Sequence, residues 1–167
     1  MAYNTVKIKK YSDVIEEFQA TAALSPGMLL ELVSATTIKK HSLASKNAIP
    51  IMFALEDELQ GKGITDAYAT GDKVQVWIPY RGDIVYARVT DEENIAFGDA
   101  LVSNGDGTLR KDRRTYESFE SADVMGTHEV YPHAIVGYAM EALDLSGLSA
   151  AGSSDTPQRM FIKVVIA

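Results

Sequence analysis

The sequence predicts an all-β protein, either a small antiparallel β-barrel or a β-sandwich, with an N-terminal arm and irregular loops. Three observations predict this class. Short apolar runs with a period of two residues recur along the chain, turn residues separate them at regular intervals, and helical periodicity is nearly absent. Many short strands divided by turn signals are typical of antiparallel barrels and sandwiches.

The composition is that of one globular domain. The chain has 167 residues, of which 46% are hydrophobic and 23% charged, so it can bury a core without a covalent staple. The absence of cysteine excludes disulfides, thiolate metal sites and a cysteine nucleophile. A net charge of -7 disfavours nucleic acid as a partner. Without an apolar run of membrane-spanning length or a secretory signal, we expect no membrane partner and synthesis in a cytosol.

The first residues are interpreted as an arm that precedes the main domain. Val6 and Ile8 alternate with Lys7 and Lys9, which predicts a short strand with one basic face. Such a segment either adds to the edge of a partner's sheet or completes the sheet of its own domain, and the sequence leaves both alternatives open.

The remainder of the arm has a second local signal. Residues 13–16 have the spacing of a capping box, so one or two helical turns are possible there. We therefore divide the chain into an arm, residues 1–24, and a β-rich domain, residues 25–167. Deletion of the arm is expected to leave a folded domain.

Strand follows strand in the main domain. The predicted strands comprise residues 28–32, 36–40, 50–55, 73–78, 83–89, 100–102, 108–109, 134–143 and 160–166. We expect residues 73–78 and 83–89 to pair as a hairpin about a turn at residues 79–82. Their alternation places Trp77 and Tyr86 opposite the valines, and with Tyr80 these aromatic side chains are possible interface residues.

The stretch from residue 98 to residue 109 invites an ion-binding interpretation because it is acidic and rich in glycine. It contains the turn dipeptides Asn104-Gly105 and Asp106-Gly107 between two apolar runs. Glycine supplies the positive φ that a tight hairpin requires, so we interpret the stretch as a bend between strands. Residues 112–132 are interpreted as a surface excursion, and residues 146–158 as a flexible loop.

Motifs that carry chemistry are not found. His128 and His133 are five residues apart with Pro132 between them, which does not fit zinc ligation from a helix. Phosphate-loop, EF-hand and serine-hydrolase patterns are also missing. We therefore predict no catalytic residue, no cofactor site, no metal ligand and no enzymatic activity. The acidic residues 91–94 and the basic run 110–114 are interpreted as solvated turns and loops.

One enzyme alternative comes from residues 63–68, Gly-Ile-Thr-Asp-Ala-Tyr. They resemble the dUTPase motif, in which an aspartate and a tyrosine lie beneath the deoxyribose; here these are Asp66 and Tyr68. That family is also all-β and trimeric. The chain lacks the family's Arg-Ser-Ser phosphate motif and its glycine-rich C-terminal arm, and nothing else in it would bind the phosphates.

A series of motifs resembles the head decoration, or cement, proteins of tailed bacteriophages. The motifs lie, in order, at residues 25–32, 49–56, 63–68, 71–76, 81–87, 93–95, 98–101, 105–109 and 136–144. The resemblance implies a β-rich homotrimer on the outer surface of the expanded head, bound to the major capsid protein and holding its subunits together. It also implies a virion protein that is made in the host cytoplasm and has no catalytic role.

Two sets of contact residues follow. If the arm adds a strand to a capsid subunit, the contacting residues are Val6, Lys7, Ile8, Lys9, Lys10 and Tyr11. The alternative function is another virion structural or receptor-binding module of a tail or baseplate, or an adhesin, which would use exposed Trp77, Tyr80 and Tyr86. These aromatic side chains could equally pack under the arm or between protomers.

Overall fold

The computed structural model describes residues 5–9, 15–46, 48, 50–113, 134–146 and 160–167. These residues form thirteen strands and one 3₁₀ turn, Glu58–Gln60. The strands are β1 (Lys7–Lys9), β2 (Ile15–Ala20), β3 (Leu30–Leu32), β4 (Thr37–Lys40), β5 (Phe53–Ala54), β6 (Lys73–Trp77), β7 (Ile84–Arg88), β8 (Asn94–Ile95), β9 (Ala100–Ser103), β10 (Leu109–Lys111), β11 (Ile135–Ala139), β12 (Leu143–Asp144) and β13 (Phe161–Ile166). The predicted all-β class is confirmed.

Most strands belong to two sheets. The six-stranded sheet has the order β1-β7-β13-β11-β9-β10, and the five-stranded sheet has the order β3-β4-β2-β6-β5. Strands β8 and β12 form a separate pair. The pairings between strands are antiparallel, except that β2 and β4 run parallel. The arrangement is sandwich-like, as one of the two predicted architectures requires.

The five-stranded sheet separates two apolar cores. Trp77, Phe53 and Leu29 pack into the core that the six-stranded sheet also fills with Val85 and Val164. The residues next to them along the chain, among them Val76, Ala54 and Leu30, point the other way into a second core. Successive side chains of a strand point to opposite faces of the sheet. Since both faces of this sheet are covered, apolar side chains occur on both.

The two sheets are also joined through their backbones at Gly107. Its carbonyl accepts the N–H of Leu29 at 2.8 Å, and its own N–H donates to the carbonyl of His41 at 3.1 Å. A Cβ at residue 107 would lie only 2.9 Å from the Cβ of Lys40. The backbone φ is +87°, which also favours glycine, so both the lack of space and the backbone conformation require glycine here.

The predicted hairpin of residues 73–78 and 83–89 is wrong. Both strands exist, but β6 pairs with β2 and β5, whereas β7 pairs with β1 and β13. The turn between them leads from one sheet to the other, and Gly82 donates its N–H to the carbonyl of Ile166 at 3.0 Å. Alternation of apolar and polar residues identifies a strand but does not indicate which strands pair with it, so only the predicted pairing was wrong.

The helical alternative at residues 13–18 is also wrong for the residues that the structure describes. Residues 15–20 form β2, which pairs with β6 over five residues and with β4 at its C-terminal end. Phe18 and Ala20 are buried, while Glu17 and Gln19 are exposed, which is the period of a strand. Described residues of the predicted arm therefore belong to both sheets.

The later predictions agree better with the structure. Strands β9 and β10 pair as the predicted hairpin around the glycine bend, and β11 and β13 pair antiparallel near the C-terminus. The predicted strand at residues 50–55 is reduced to β5. Apart from residues 112, 113 and 146, the predicted excursion at 112–132 and loop at 146–158 lie outside the described residues.

Candidate interaction surfaces

Thr5 and Val6 are bound to the main domain by hydrogen bonds. The Val6 N–H donates to the Glu56 carboxylate at 3.0 Å, and the Thr5 hydroxyl donates to the other oxygen of the same group. Val6 is fully buried in the core, and β1 pairs with β7. Of the two alternatives for this segment, the structure shows the one in which it completes its own sheet.

This placement corrects the expected role of Val6 as a capsid contact, because a side chain buried in its own core cannot fill a pocket on a partner. Lys7, Ile8 and Lys9 form β1, where the strand pairs with β7. Lys10 and Tyr11 lie outside the described residues. A capsid-binding role for residues 7–11 stays a prediction.

The three predicted interface aromatics have different environments. Trp77 is fully buried, and Tyr86 is nearly so, with its ring stacked on that of Phe161 at a centroid distance of 5.0 Å. Of the two alternatives for these side chains, exposure to a partner and packing inside the protein, the structure shows packing for Trp77 and Tyr86, because each is covered by neighbouring residues of its own chain. Tyr80 is 69% exposed on the turn before β7 and remains accessible to a partner.

A cationic side chain completes the Tyr86 stack. The Arg88 guanidinium lies 4.7 Å from the centre of the Phe161 ring, and its Nε–H donates to the Pro26 carbonyl at 2.9 Å. Burial lowers the pKa of Arg88. This arginine therefore holds the turn at residues 25–27 against the outer side of the six-stranded sheet.

The acidic bend uses its carboxylates to close turns. Asp99 accepts the Ala96 N–H at 2.7 Å and pairs with the Lys111 ammonium at 2.7 Å. Asp106 accepts the N–H and the hydroxyl of Thr108. Burial alone would raise the pKa of each carboxyl group, but these hydrogen bonds and nearby lysines outweigh it and lower the pKa. The geometry fits the predicted bend.

The residues of the dUTPase-like motif also have structural partners. The Tyr68 hydroxyl donates to the Leu55 carbonyl at 2.8 Å inside the second core, and Asp66 accepts the Gly63 N–H at 2.7 Å within a turn. Burial raises the pKa of Tyr68 to about 12. Since the tyrosine is 2% exposed, its ring is not available to stack beneath a sugar in this conformation.

Two charged runs are less solvated than expected. Glu93, from the acidic residues 91–94, is buried and pairs with the Arg113 guanidinium at 3.0 Å. Arg110, from the basic run, donates to the Ser45 hydroxyl at 2.8 Å. The difference comes from tertiary contacts, one between the two runs and one to Ser45, which no local pattern reveals.

One buried polar group resembles a catalytic arrangement. His41 Nδ1 lies 2.7 Å from the Ser103 hydroxyl, and His41 Nε2 lies 3.8 Å from the Glu31 carboxylate. Ser103 is fully buried, however, and its hydroxyl accepts the Gly105 N–H at 3.1 Å. A nucleophile must reach its substrate, so this geometry fits a structural link between the two sheets better.

A cavity of 330 Å³ opens beside this group. Leu30, Leu32 and Leu43 supply apolar walls, and Glu31 and His41 supply polar ones. Burial tends to raise the pKa of Glu31, but hydrogen bonds from Ser42 and Lys39 outweigh it, so the pKa is lowered. Glu31 therefore places a carboxylate in one wall of the cavity, and this group already interacts with Lys39 and Ser42.

No cluster of three or more potential metal ligands occurs in the described part of the chain, and His128 and His133 lie outside it. Among the same residues, no helix is long and apolar enough to span a bilayer.

Exposed apolar side chains are the remaining candidates for contact with a partner. Two groups stand out, besides single residues such as Leu59. Tyr138 of β11, Met140 just after it and Phe97 on a nearby turn form one group, and Leu32, Val33 and Leu43 beside the cavity form the other. Sequence reasoning missed both groups, because a side chain on a covered strand and one on an exposed strand have the same alternation.

Fold and contacts together define an all-β, sandwich-like protein in which several of the described charged groups close turns and join strands. Among solved structures, the chain is similar to the head fibre gp8.5 N base of bacteriophage phi29. The TM-score is 0.52 and the identity is 14%, over 92% of this chain and 93% of that chain. This likeness shows a shared fold. No protein-family model matches the chain, and no curated protein matches it.

Proposed function

We propose that this chain is a structural protein of a tailed-phage head, and that it decorates the outer surface of the expanded shell. The observation that carries the proposal is the likeness in fold to a phage head fibre base, which extends over nearly the full length of both chains. The ordered motifs that resemble decoration proteins point to the same class independently, because they were identified from the sequence alone.

In this role the chain binds the major capsid protein as a homotrimer and holds neighbouring subunits together. Two backbone-linked sheets around two cores supply a stiff body, which loses little conformational freedom on docking. Modest contacts are sufficient, since many copies act on one closed particle.

The test uses empty heads of the phage that encodes the chain, in expanded and in unexpanded precursor form. Purified protein is mixed with each form, the particles are sedimented, and the bound protein is measured against concentration. We expect saturable binding to expanded heads alone. Failure to bind expanded heads would overturn the proposal.

A second candidate is the base of a projecting head fibre, which the name of the structural neighbour favours. A decoration protein should raise the temperature at which heads rupture, because it links adjacent subunits. A fibre base should bind at few positions and leave that temperature unchanged. Measuring rupture with and without saturating protein separates the two candidates.

A further inference from the structure

The outward side of the six-stranded sheet carries an apolar row. Ile84 of β7 lies opposite Val165 of β13, Val165 lies opposite Tyr138 of β11, and Tyr138 lies opposite Ala100 of β9. Directly opposed residues in antiparallel strands project from the same face. Four apolar side chains therefore line up across four strands.

This face is the one that points away from the core. The neighbouring residues Val85, Val164 and Leu101 are fully buried, whereas Ile84, Val165 and Ala100 are partly exposed and Tyr138 is 42% exposed. A strand that covers a core on one side normally presents polar residues on the other. An apolar row there indicates contact with something else.

Two more side chains extend the row. Met140 follows Tyr138 by two residues and is 37% exposed. Phe97 is 71% exposed on a turn that is bonded to the same strand end, because the Gly98 N–H donates to the Ala139 carbonyl at 2.8 Å. We call Ile84, Val165, Tyr138, Ala100, Met140 and Phe97 the outer patch.

One ion pair lies beside the outer patch on the same face. Glu141 pairs with Lys163, two residues before Val165 in β13, at 3.3 Å. The chain as a whole has a net charge of -7. Two copies face to face would therefore repel each other at long range, and a partner of opposite charge would be attracted.

The size of the outer patch also bears on its occupant. An aromatic side chain has an area of about 150–250 Å², so the exposed parts of Phe97, Tyr138 and Met140 amount to roughly 300 Å². A stable two-protein complex buries about 800 Å² on each partner. The outer patch alone is too small for a stable dimer in solution, but sufficient for a contact that many copies repeat on one particle.

We propose that the outer patch is the face that docks on the major capsid protein, at an apolar surface flanked by basic side chains. This inference rests on the proposed function and adds the surface and the chemistry of the partner. The aromatic ring of Tyr138 lies at the centre of the contact, and Phe97 and Met140 lie beside it.

The test compares substitutions on the two sheets. The double variant Tyr138→Ser with Met140→Ser removes the apolar side chains at the centre of the outer patch. Phe97→Ser removes an apolar side chain at the edge of the outer patch, and because Phe97 lies on a turn, this substitution does not disturb a strand. Leu32→Ser with Val33→Ser is the matched control, since these side chains are 45% and 52% exposed on the other sheet. Circular dichroism checks that each variant is folded.

We expect each patch variant to bind expanded heads at least about tenfold more weakly than the original chain, and the control to bind within about twofold. Patch variants that bind as the original chain does would overturn this inference and leave the proposed function standing. Loss of self-association by light scattering, with head binding intact, would assign the patch to a second copy and also overturn it. If the original chain does not bind heads, the proposed function itself fails, and the named partner fails with it.

Discussion

The backbone N–H of Val6 donates a hydrogen bond of 3.0 Å to the carboxylate of Glu56, fifty residues further along the chain. The Thr5 hydroxyl donates to the same carboxylate. Glu56 is 2% exposed, so its negative charge is met inside the protein by donors from the start of the chain. The contact holds the residues just before β1, the edge strand of the six-stranded sheet, against the rest of the domain.

Glu56→Gln is expected to destabilise the protein by about 1–3 kcal/mol, because two hydrogen bonds to a carboxylate are replaced by weaker hydrogen bonds to a neutral amide, which has only one accepting oxygen. Urea unfolding at pH 7 measures the change. Glu58→Gln, an exposed residue two positions away, is the control and should change stability by less than about 0.5 kcal/mol. Equal stability of the two variants would contradict the role of Glu56.

Deletion of residues 1–24 is expected to abolish cooperative unfolding. The deletion removes β2, which pairs with β6 over five residues and carries the buried Phe18. It also leaves Glu56 buried without the two donors. Thermal unfolding followed by circular dichroism tests this, and a truncated protein that melts cooperatively near the original temperature would restore the independent domain that the sequence predicts.

Gly137→Ala is expected to destabilise the protein by more than about 3 kcal/mol. A Cβ there would lie 2.3 Å from the Val165 carbonyl oxygen, so β11 and β13 would have to separate. Gly71→Ala is the control, because φ is +92° but nothing lies within 4 Å of the added carbon. Backbone strain alone should cost about 1–2 kcal/mol there. Equal losses in the two variants would contradict the steric explanation.

Tyr68→Phe should affect stability differently at neutral and alkaline pH. Burial raises the pKa of the folded-state phenol to about 12 from 10.0, so folding favours its neutral form. The corresponding stability is present below pH 10 and is lost as pH rises towards 12. At pH 8 the variant should lose about 1 kcal/mol with the hydrogen bond to Leu55.

Between pH 10 and 12 the same variant should decline less steeply than the original chain, because its phenylalanine has no proton to release. Urea unfolding at both pH values measures the two slopes. Parallel slopes would show that Tyr68 titrates alike in the folded and unfolded chains.

Asp106→Asn is expected to destabilise the protein at pH 7, and the effect should shrink progressively as pH falls below 3.8. Burial opposes ionisation of this carboxyl group, but hydrogen bonds from Thr108 outweigh it, so the folded-state pKa lies below 3.8. Its contribution is present above that value and is lost as pH falls through the lower folded pKa. Because solvent screens a group that is only partly buried, the loss at pH 7 should stay below about 1 kcal/mol.

Asp144→Asn is the matched control for this pH effect. Asp144 accepts the hydroxyl and the N–H of Ser146 in a similar turn, and these hydrogen bonds lower its pKa, but the residue is exposed. A smaller effect than at Asp106 is expected. Equal effects would show that burial of the turn does not matter.

Local patterns predicted most of the strands and little of the surface. The bend at residues 98–109 was predicted correctly because glycine at φ +91° and +87° and turn-closing aspartates act within a few residues. The sequence left open whether Trp77 and Tyr86 are exposed or packed inside the protein, and the tertiary structure shows both of them buried. The outer patch was not predicted at all, since Ile84, Val165 and Tyr138 come together only through pairing of distant strands.

The all-β class, the approximate strands and the turns follow from local sequence, because side-chain alternation and positive φ are properties of neighbouring residues. Long-range contacts set which strands pair, make β2 a strand, place β6 and β7 in different sheets and bury Val6. These outcomes depend on contacts between residues far apart in the chain. Such contacts stabilise the protein only after the chain has brought the distant residues together, so no local pattern can reveal them.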